Sequence, residues 1–147
     1  MLCPIIYGSM SRFEVEKNVD FQDYLDEVTE NEIMRHTDIE TDGDKISNIW
    51  GILGLTNEAD LARILGIDQR QIPKIFKSGV NDQSIKRRLN RAFAYASILE
   101  RNLPDLLQRK IELERPHPFL RYKSPIESLK QGHIDQVLYF AAQTPSI

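Results

Sequence analysis

The chain has 147 residues, 41% of them hydrophobic, which is enough for one domain with a buried core. Its one cysteine and three scattered histidines exclude a disulfide framework and suggest no metal site, and they fit a reducing, cytoplasmic setting. The formal net charge of −3, taken over the whole chain, argues against a nucleic-acid-binding protein.

The charges are divided unevenly along the chain. Residues 1–60 carry 14 Asp and Glu against 4 Lys and Arg, a balance of −10, whereas residues 61–147 carry 8 against 15, a balance of +7. Such a division indicates a charged partner or a charged surface with a specific role. Residues 1–19 show little pattern, and Pro4 interrupts a short apolar run without a basic flank, so we expect neither a signal peptide nor a membrane span.

A first amphipathic helix is predicted over Asp20–His36, where apolar residues recur at helical spacing. These residues are Phe21, Tyr24, Leu25 and Val28. The other face is acidic, and residues 20–44 contain ten carboxylates and one basic residue, Arg35. This face is a solvated helix surface, a surface for a basic partner, or a shield over the basic half of the same chain. The segment Asp42–Asp44 lacks the ligand run of a calcium loop, so we predict no metal there.

A second amphipathic helix is predicted before Gly54. Its apolar residues are Ile46, Ile49, Trp50 and Leu53. The next stretch, Leu61–Gly79, has the pattern of two short helices joined by a turn at Gly66, with Asp68 as N-cap of the second. This pattern is typical of a helix-turn-helix, and an ordinary αα-hairpin fits it as well. If the second helix begins at Asp68, Pro73 lies beyond its first turn and should kink it.

A long helix is predicted from about Asp82 to Asn102, because its apolar residues follow a 3.6-residue period. The stripe consists of Ile85, Leu89, Ala92, Phe93, Ala96 and Leu99. Four cations occupy the N-terminal half of this helix: Lys86, Arg87, Arg88 and Arg91. Cations are unfavourable near a helix N-terminus, so this choice indicates contact with phosphates or an acidic partner, unless the face is simply solvated.

The rest of the chain is also predicted to be helical. After Pro104 a short helix carries apolar Leu106, Leu107 and Ile111, and an extended, proline-marked stretch follows. Ser124 is the predicted N-cap of the next helix, within a capping box, and a final helix follows Gly132. No strand pattern occurs, so the predicted fold class is all-α, a helical bundle.

Two stretches together resemble the Xre/MbcA/ParS-type antitoxin family. The hairpin around Gly66 resembles an Xre-type helix-turn-helix. The segment after Arg115 is similar to the C-terminal family pattern, in which Asn-Pro-x-Leu leads into Thr-Pro-Leu-Glu-Leu-Leu and a Gly. The matching residues are Pro118, Leu120, Ser124, Pro125, Ile126, Glu127, Leu129 and Gly132. The resemblance covers residues 46–142.

The resemblance implies an antitoxin of a type II toxin–antitoxin pair. The predicted division of the chain is an acidic N-terminal extension (1–45), which lies outside the resemblance, an Xre-like helix-turn-helix region (46–102) and a small helical toxin-binding domain (103–147). The partners it implies are a cognate toxin, often an NAD-consuming RES-domain enzyme, promoter DNA and a second copy in a homodimer. We expect no cofactor, no metal and no enzymatic activity, since no nucleophile–base pair or phosphate-binding glycine loop is present.

The predicted contact residues belong to two sets. The residues predicted to contact the toxin are Arg115, His117, Phe119, Arg121, Tyr122, Lys123, Gln143 and Thr144. Toward DNA, Gln69, Arg70, Gln71 and Lys74 are predicted to read bases, and Lys77, Arg87, Arg88 and Arg91 to contact phosphates. Two alternatives stay open, namely a stand-alone helix-turn-helix regulator and a helical oligomerisation module that pairs through the Ile85–Leu99 stripe.

The chain departs from the family pattern at three points. The family has Gly-Gly-Arg where this chain has Arg121-Tyr122-Lys123, so a loop with positive φ there is expected to be costly. The hairpin has one extra residue between Ile75 and Gly79, and Pro73 lies in the predicted recognition helix. Toxin binding is therefore better supported by the resemblance than sequence-specific DNA binding.

Overall fold

The computed structural model describes residues 19–143, and in this range the chain is helical and contains no β-strand. The helices are α1 (Val19–Met34), α2 (Asp42–Leu53), α3 (Glu58–Leu65), α4 (Ile72–Ser78), α5 (Gln83–Asn102), α6 (Leu106–Glu114), α7 (Pro125–Lys130) and α8 (Ile134–Gln143). Short 3-10 turns, Gln69–Gln71 and Pro118–Leu120, precede α4 and α7. The predicted all-α class is confirmed. None of these helices is long and apolar enough to cross a membrane.

Local sequence explains where most helices begin and end. Polar N-cap side chains accept hydrogen bonds from first-turn backbone N–H groups at Thr41, Asn57, Asp82, Asp105 and Ser124. At Ser124, the hydroxyl accepts from the Glu127 N–H at 3.3 Å and also lies 3.2 Å from the Glu127 carboxylate. Gly54 and Gly66 end α2 and α3 in the left-handed conformation, at φ of 66° and 69°.

The long helix α5 is the centre of the fold. Helices α1, α2 and α8 all pack against it, and its stretch from Leu89 to Leu99 is buried almost continuously. Residues from all three segments distinguished in the sequence enter one hydrophobic core: Phe21 and Leu25 from α1, Ile49 from α2, Phe93 from α5 and Leu138 from α8. Helix α1 is thus packed into the same body as the hairpin and the C-terminal helices.

Part of the acidic face of α1 is directed at α5. Glu32 is buried, and its carboxylate accepts hydrogen bonds from Arg101 at 2.7 Å and from the Ser97 hydroxyl at 2.8 Å. Asp26 pairs with both Arg87 and Arg91. Other α1 carboxylates, such as that of Glu30, remain exposed. The acidic face of α1 had three interpretations: a solvated surface, a surface for a basic partner and a shield over the basic half of the chain. The third describes the carboxylates that face α5, such as those of Asp26 and Glu32.

The guanidinium of Arg91 joins three helices. Arg91 is 3% exposed, and its Nη2 donates to Asp26 Oδ1 on α1 at 2.8 Å. Its Nη1 donates to Gln22 Oε1 at 2.8 Å and to a carboxylate oxygen of Asp135 on α8. A buried cation is tolerated only when it is paired and hydrogen-bonded, and these partners engage both terminal nitrogens from both flanks of α5, whereas Nε is buried without a hydrogen-bond partner among the described residues.

We expect Arg91→Ala to lower the free energy of unfolding by about 3 kcal/mol, because it leaves two carboxylates without their shared cation. Arg87→Ala is the matched control, since Arg87 is exposed, lies on the same helix and pairs with the same Asp26. An exposed ion pair contributes less than about 1 kcal/mol. Urea unfolding of the two variants measures the difference, and equal losses would contradict the role given to Arg91.

Candidate binding surfaces: the hairpin and the C-terminal loop

The predicted hairpin is formed by α3 and α4. Gly66 ends α3, and Asp68 then caps the 3-10 turn by accepting from the Arg70 N–H at 2.8 Å. Gln71 Oε1 accepts from the Asp68 N–H at 3.1 Å, which completes a capping box. The turn at Gly66 and the cap at Asp68 are therefore confirmed, although the α-helix itself begins only at Ile72.

The condition for the predicted kink at Pro73, an α-helix that begins at Asp68, is not met. The chain forms a 3-10 turn between Asp68 and Ile72, so Pro73 falls in the first turn of α4. Backbone N–H groups in a first turn have no acceptor within the helix, so proline loses no hydrogen bond there. As a result the α-helix is short: α4 has 7 residues, or about two turns.

The polar side chains of the hairpin that are predicted to contact DNA lie on the surface. Gln69, Arg70, Gln71, Lys74 and Lys77 are all exposed. Arg70 is held by Asp68 through two hydrogen bonds of 2.9 and 3.1 Å, which lower the pKa of that carboxyl, and Gln71 takes part in the cap. Among residues 20–143, no ion pair engages Lys74 or Lys77.

A buried carboxylate fixes the far end of the hairpin. Asp42 Oδ2 accepts from the Val80 N–H at 2.8 Å, and Oδ1 accepts from Lys86 Nζ at 2.7 Å. Burial alone would raise the pKa of Asp42, but these two hydrogen bonds hold it below its ordinary value. The neighbouring Gly43 lies under Phe76 of α4, where a Cβ would be 2.8 Å from the ring. Helix α4 is thus seated directly on the start of α2.

Three of the four cations on the first half of α5 are engaged within the chain. Lys86 pairs with Asp42, Arg87 with Asp26, and Arg91 with Asp26 and Asp135. Arg91 in particular is buried and presents no charge to a phosphate. Arg88 differs, since its guanidinium lies against the turn at Gly66 and forms no ion pair with the described residues.

The C-terminal loop, residues 117–123, has an uncommon backbone. Arg121 and Tyr122 have φ of 57° and 62°, and both are in the left-handed region. The Tyr122 N–H donates to the His117 carbonyl at 2.8 Å, and the His117 N–H donates to the Lys123 carbonyl at 3.1 Å. Positive φ is therefore present in this loop without glycine, at a cost of about 1–2 kcal/mol for each of the two residues.

This loop presents its side chains in two directions. Tyr122 is 74% exposed, and Arg121 is exposed beside it. Phe119 faces the other way and stacks on Phe140 with 6.3 Å between ring centroids, which attaches the loop to α8. The strained residues are therefore those that point to solvent.

The remaining predicted toxin contacts have different surroundings. Arg115 is exposed and lies 3.8 Å from Glu112, and Lys123 donates to Gln131 at 2.6 Å. Gln143 donates to the Tyr24 hydroxyl at 2.6 Å and is thus directed at α1. Thr144 lies outside the described residues.

His117 faces a cavity of about 280 Å³ between α5, α6 and α8. The walls are mainly apolar, with a polar end where His117 Nε2 lies 2.8 Å from Glu112 Oε2. Burial, together with the charge of Glu112, raises the pKa of the Tyr95 hydroxyl, which stays protonated. No cysteine or serine lines this cavity, and among residues 19–143 no group of three potential metal ligands occurs.

Sequence reasoning missed the exposed apolar surface of α6. Leu106, Leu107 and Ile111 are the apolar residues of the predicted helix, yet all three are exposed, whereas Arg109 and Leu113 are buried. On a helical wheel Leu107 and Ile111 lie together and Leu113 lies on a different face. This separation could have indicated that α6 does not bury all of its apolar residues on one face. Phe76 on α4 is likewise half exposed.

Comparison with known proteins identifies no relative, since no protein-family model, curated protein or solved structure matches the chain. The candidate surfaces therefore depend on their own geometry.

We expect Arg121→Gly and Tyr122→Gly each to raise the free energy of unfolding by about 1 kcal/mol, because glycine adopts positive φ without strain. Lys123→Gly is the control. Its φ is not positive, so glycine there only increases the entropy of the unfolded chain and should lower stability. Thermal and urea unfolding report these changes, and destabilisation by all three substitutions would contradict the left-handed loop.

Proposed function

We propose that the protein is an antitoxin whose C-terminal loop, residues 117–123, contacts a cognate toxin. The observation that supports this proposal is the pair of left-handed residues, Arg121 and Tyr122, at the exposed tip of the loop. Both side chains point outward, and neither contributes to the core.

The strain is informative because glycine would remove it. A sequence selected only for stability would carry glycine at these two positions. Arg121 and Tyr122 instead supply a cation and a large amphipathic ring, the side chains most enriched among the residues that dominate binding energy at protein interfaces. Backbone strain retained at an exposed site is typical of a binding function.

The surroundings of the loop favour an acidic partner surface. Arg115 and Arg121 are exposed cations close to Tyr122 in sequence, and Lys123 is adjacent to Tyr122. Such a cluster attracts carboxylates at the rim of an interface and adds specificity. An NAD-consuming RES-domain enzyme as the toxin follows from the sequence resemblance alone and stays a prediction.

The sharpest test is Tyr122→Gly, because this change should stabilise the fold while removing the central contact. In co-expression with the product of the adjacent gene, we expect loss of growth rescue and of co-purification, with a Kd raised about 30-fold, equivalent to about 2 kcal/mol. The control is Met34→Ala, which truncates another exposed side chain, at the end of α1, and should leave toxin binding unchanged. Alanine is used there because glycine would weaken the helix. Unchanged toxin binding by Tyr122→Gly would overturn the proposal.

A second function, binding of promoter DNA through the hairpin, is favoured by one observation. Gln69, Lys74 and Lys77 are exposed on the 3-10 turn and α4, and neither lysine is engaged in an ion pair within residues 20–143. These two lysines, and Arg88 beside the turn at Gly66, are the cations of this region that remain without an ion pair among the described residues. Such a surface contacts few phosphates, so binding through it is expected to be weak.

We expect the logarithm of the DNA association constant to fall with the logarithm of salt concentration with a slope of about −3, for roughly three phosphate contacts. The double substitution Lys74→Ala and Lys77→Ala should reduce that slope by about 2. Arg35→Ala is the control, because Arg35 is an exposed cation outside the hairpin. Gel shifts over a salt series make the measurement, and absent or salt-insensitive binding would rule this function out.

A further inference from the structure

The apolar stripe of α5 is not available for pairing between chains. Leu89, Phe93 and Leu99 of this stripe are all buried within the chain. The large apolar side chains that remain uncovered are concentrated on α6, where Leu106, Leu107 and Ile111 are 61%, 66% and 51% exposed. Exposed apolar side chains grouped on one helix typically mark an interaction surface.

A groove of about 480 Å³, of whose lining Leu106 is part, lies between α6, α7 and the C-terminal end of α2. Its apolar lining consists of Ile52, Leu53, Leu55, Leu106, Leu113 and Ile126. The surface defined by α6 and this groove, here called the α6 face, thus contains projecting apolar side chains next to an apolar recess. One copy of such a face can insert its projections into the recess of another copy.

The rim of the α6 face carries charges of both signs. Lys110 and Glu114 lie on α6, and Asp60 and Lys130 form an ion pair of 3.4 Å on the opposite wall. A nucleic acid or a partner of one charge sign would leave half of these groups opposed by like charge. A second copy of the same face offers both signs, because a two-fold interface places each residue i against j and j against i.

We propose that two copies of this chain pair through the α6 face about a two-fold axis. The apolar contact is made by Leu107 and Ile111, and Lys110 and Glu114 set the register through pairing with their opposites on the second copy. This interface uses none of the residues of the C-terminal loop, so it holds whether or not that loop binds a toxin.

Light scattering coupled to size-exclusion chromatography tests the proposal on the full chain, over protein concentrations of about 1–100 μM. We expect a dimer for the unmodified chain and a monomer for the double substitution Leu107→Glu and Ile111→Glu. Because both residues are exposed, the fold should persist, and far-UV circular dichroism verifies it. The matched control is Met34→Glu, which adds a charge at a side chain that is 73% exposed on α1 and should leave the dimer intact.

The charged rim has its own test. Lys110→Glu alone should weaken the dimer, because it places two carboxylates opposite each other across the interface. Addition of Glu114→Lys should restore the dimer, because each copy then again presents one cation and one carboxylate to its partner, with the two positions exchanged. Tyr122→Gly should remain dimeric, which separates this proposal from the toxin-binding loop. A monomeric unmodified chain, or a dimer unaffected by the double Leu107 and Ile111 substitution, would overturn the proposal.

Discussion

The buried guanidinium of Arg91 is the interaction on which the arrangement of the helices depends. It lies near the middle of the central helix α5, and its two terminal nitrogens donate to Gln22 and Asp26 on α1 and to Asp135 on α8. A cation buried to this extent is costly unless every partner is in place, so it specifies how α1 and α8 must sit on α5. The hydrophobic core, to which Phe21 of α1 and Leu138 of α8 both belong, supplies the packing energy that accompanies it.

Internal pairing changes what the uneven charge distribution implies. The acidic and basic parts of the chain partly neutralise each other, through Asp26, Glu32 and Asp42. Among the described residues, the cations left for partners lie on the hairpin, around the C-terminal loop and, as Lys110, on α6. The account of function follows from this division, since the loop alone combines free charge with an exposed aromatic ring and backbone strain.

The sequence predicted the features whose causes are local. Helical periodicity located α1, α2 and α5. Gly66, Asp68 and Ser124 identified one turn and two caps, because each of these features involves only residues a few positions away in sequence. Features that depend on distant partners were not predictable: the burial of Arg91 requires residues 69 positions away in sequence. The left-handed backbone of Tyr122 was likewise beyond local preference, because only the closed loop offsets its cost.

The most direct test of this account is native-state hydrogen exchange of α1 and α5. If Arg91 and the shared core bind α1 into the same body, the amides of Leu25 and Thr29 should exchange with the same free energy of opening as those of Phe93 and Ala96. Exchange of the α1 amides through a separate opening of much lower free energy would contradict the account. Helix α1 would then be an appended arm, and its carboxylates would not be permanent partners of the basic helix.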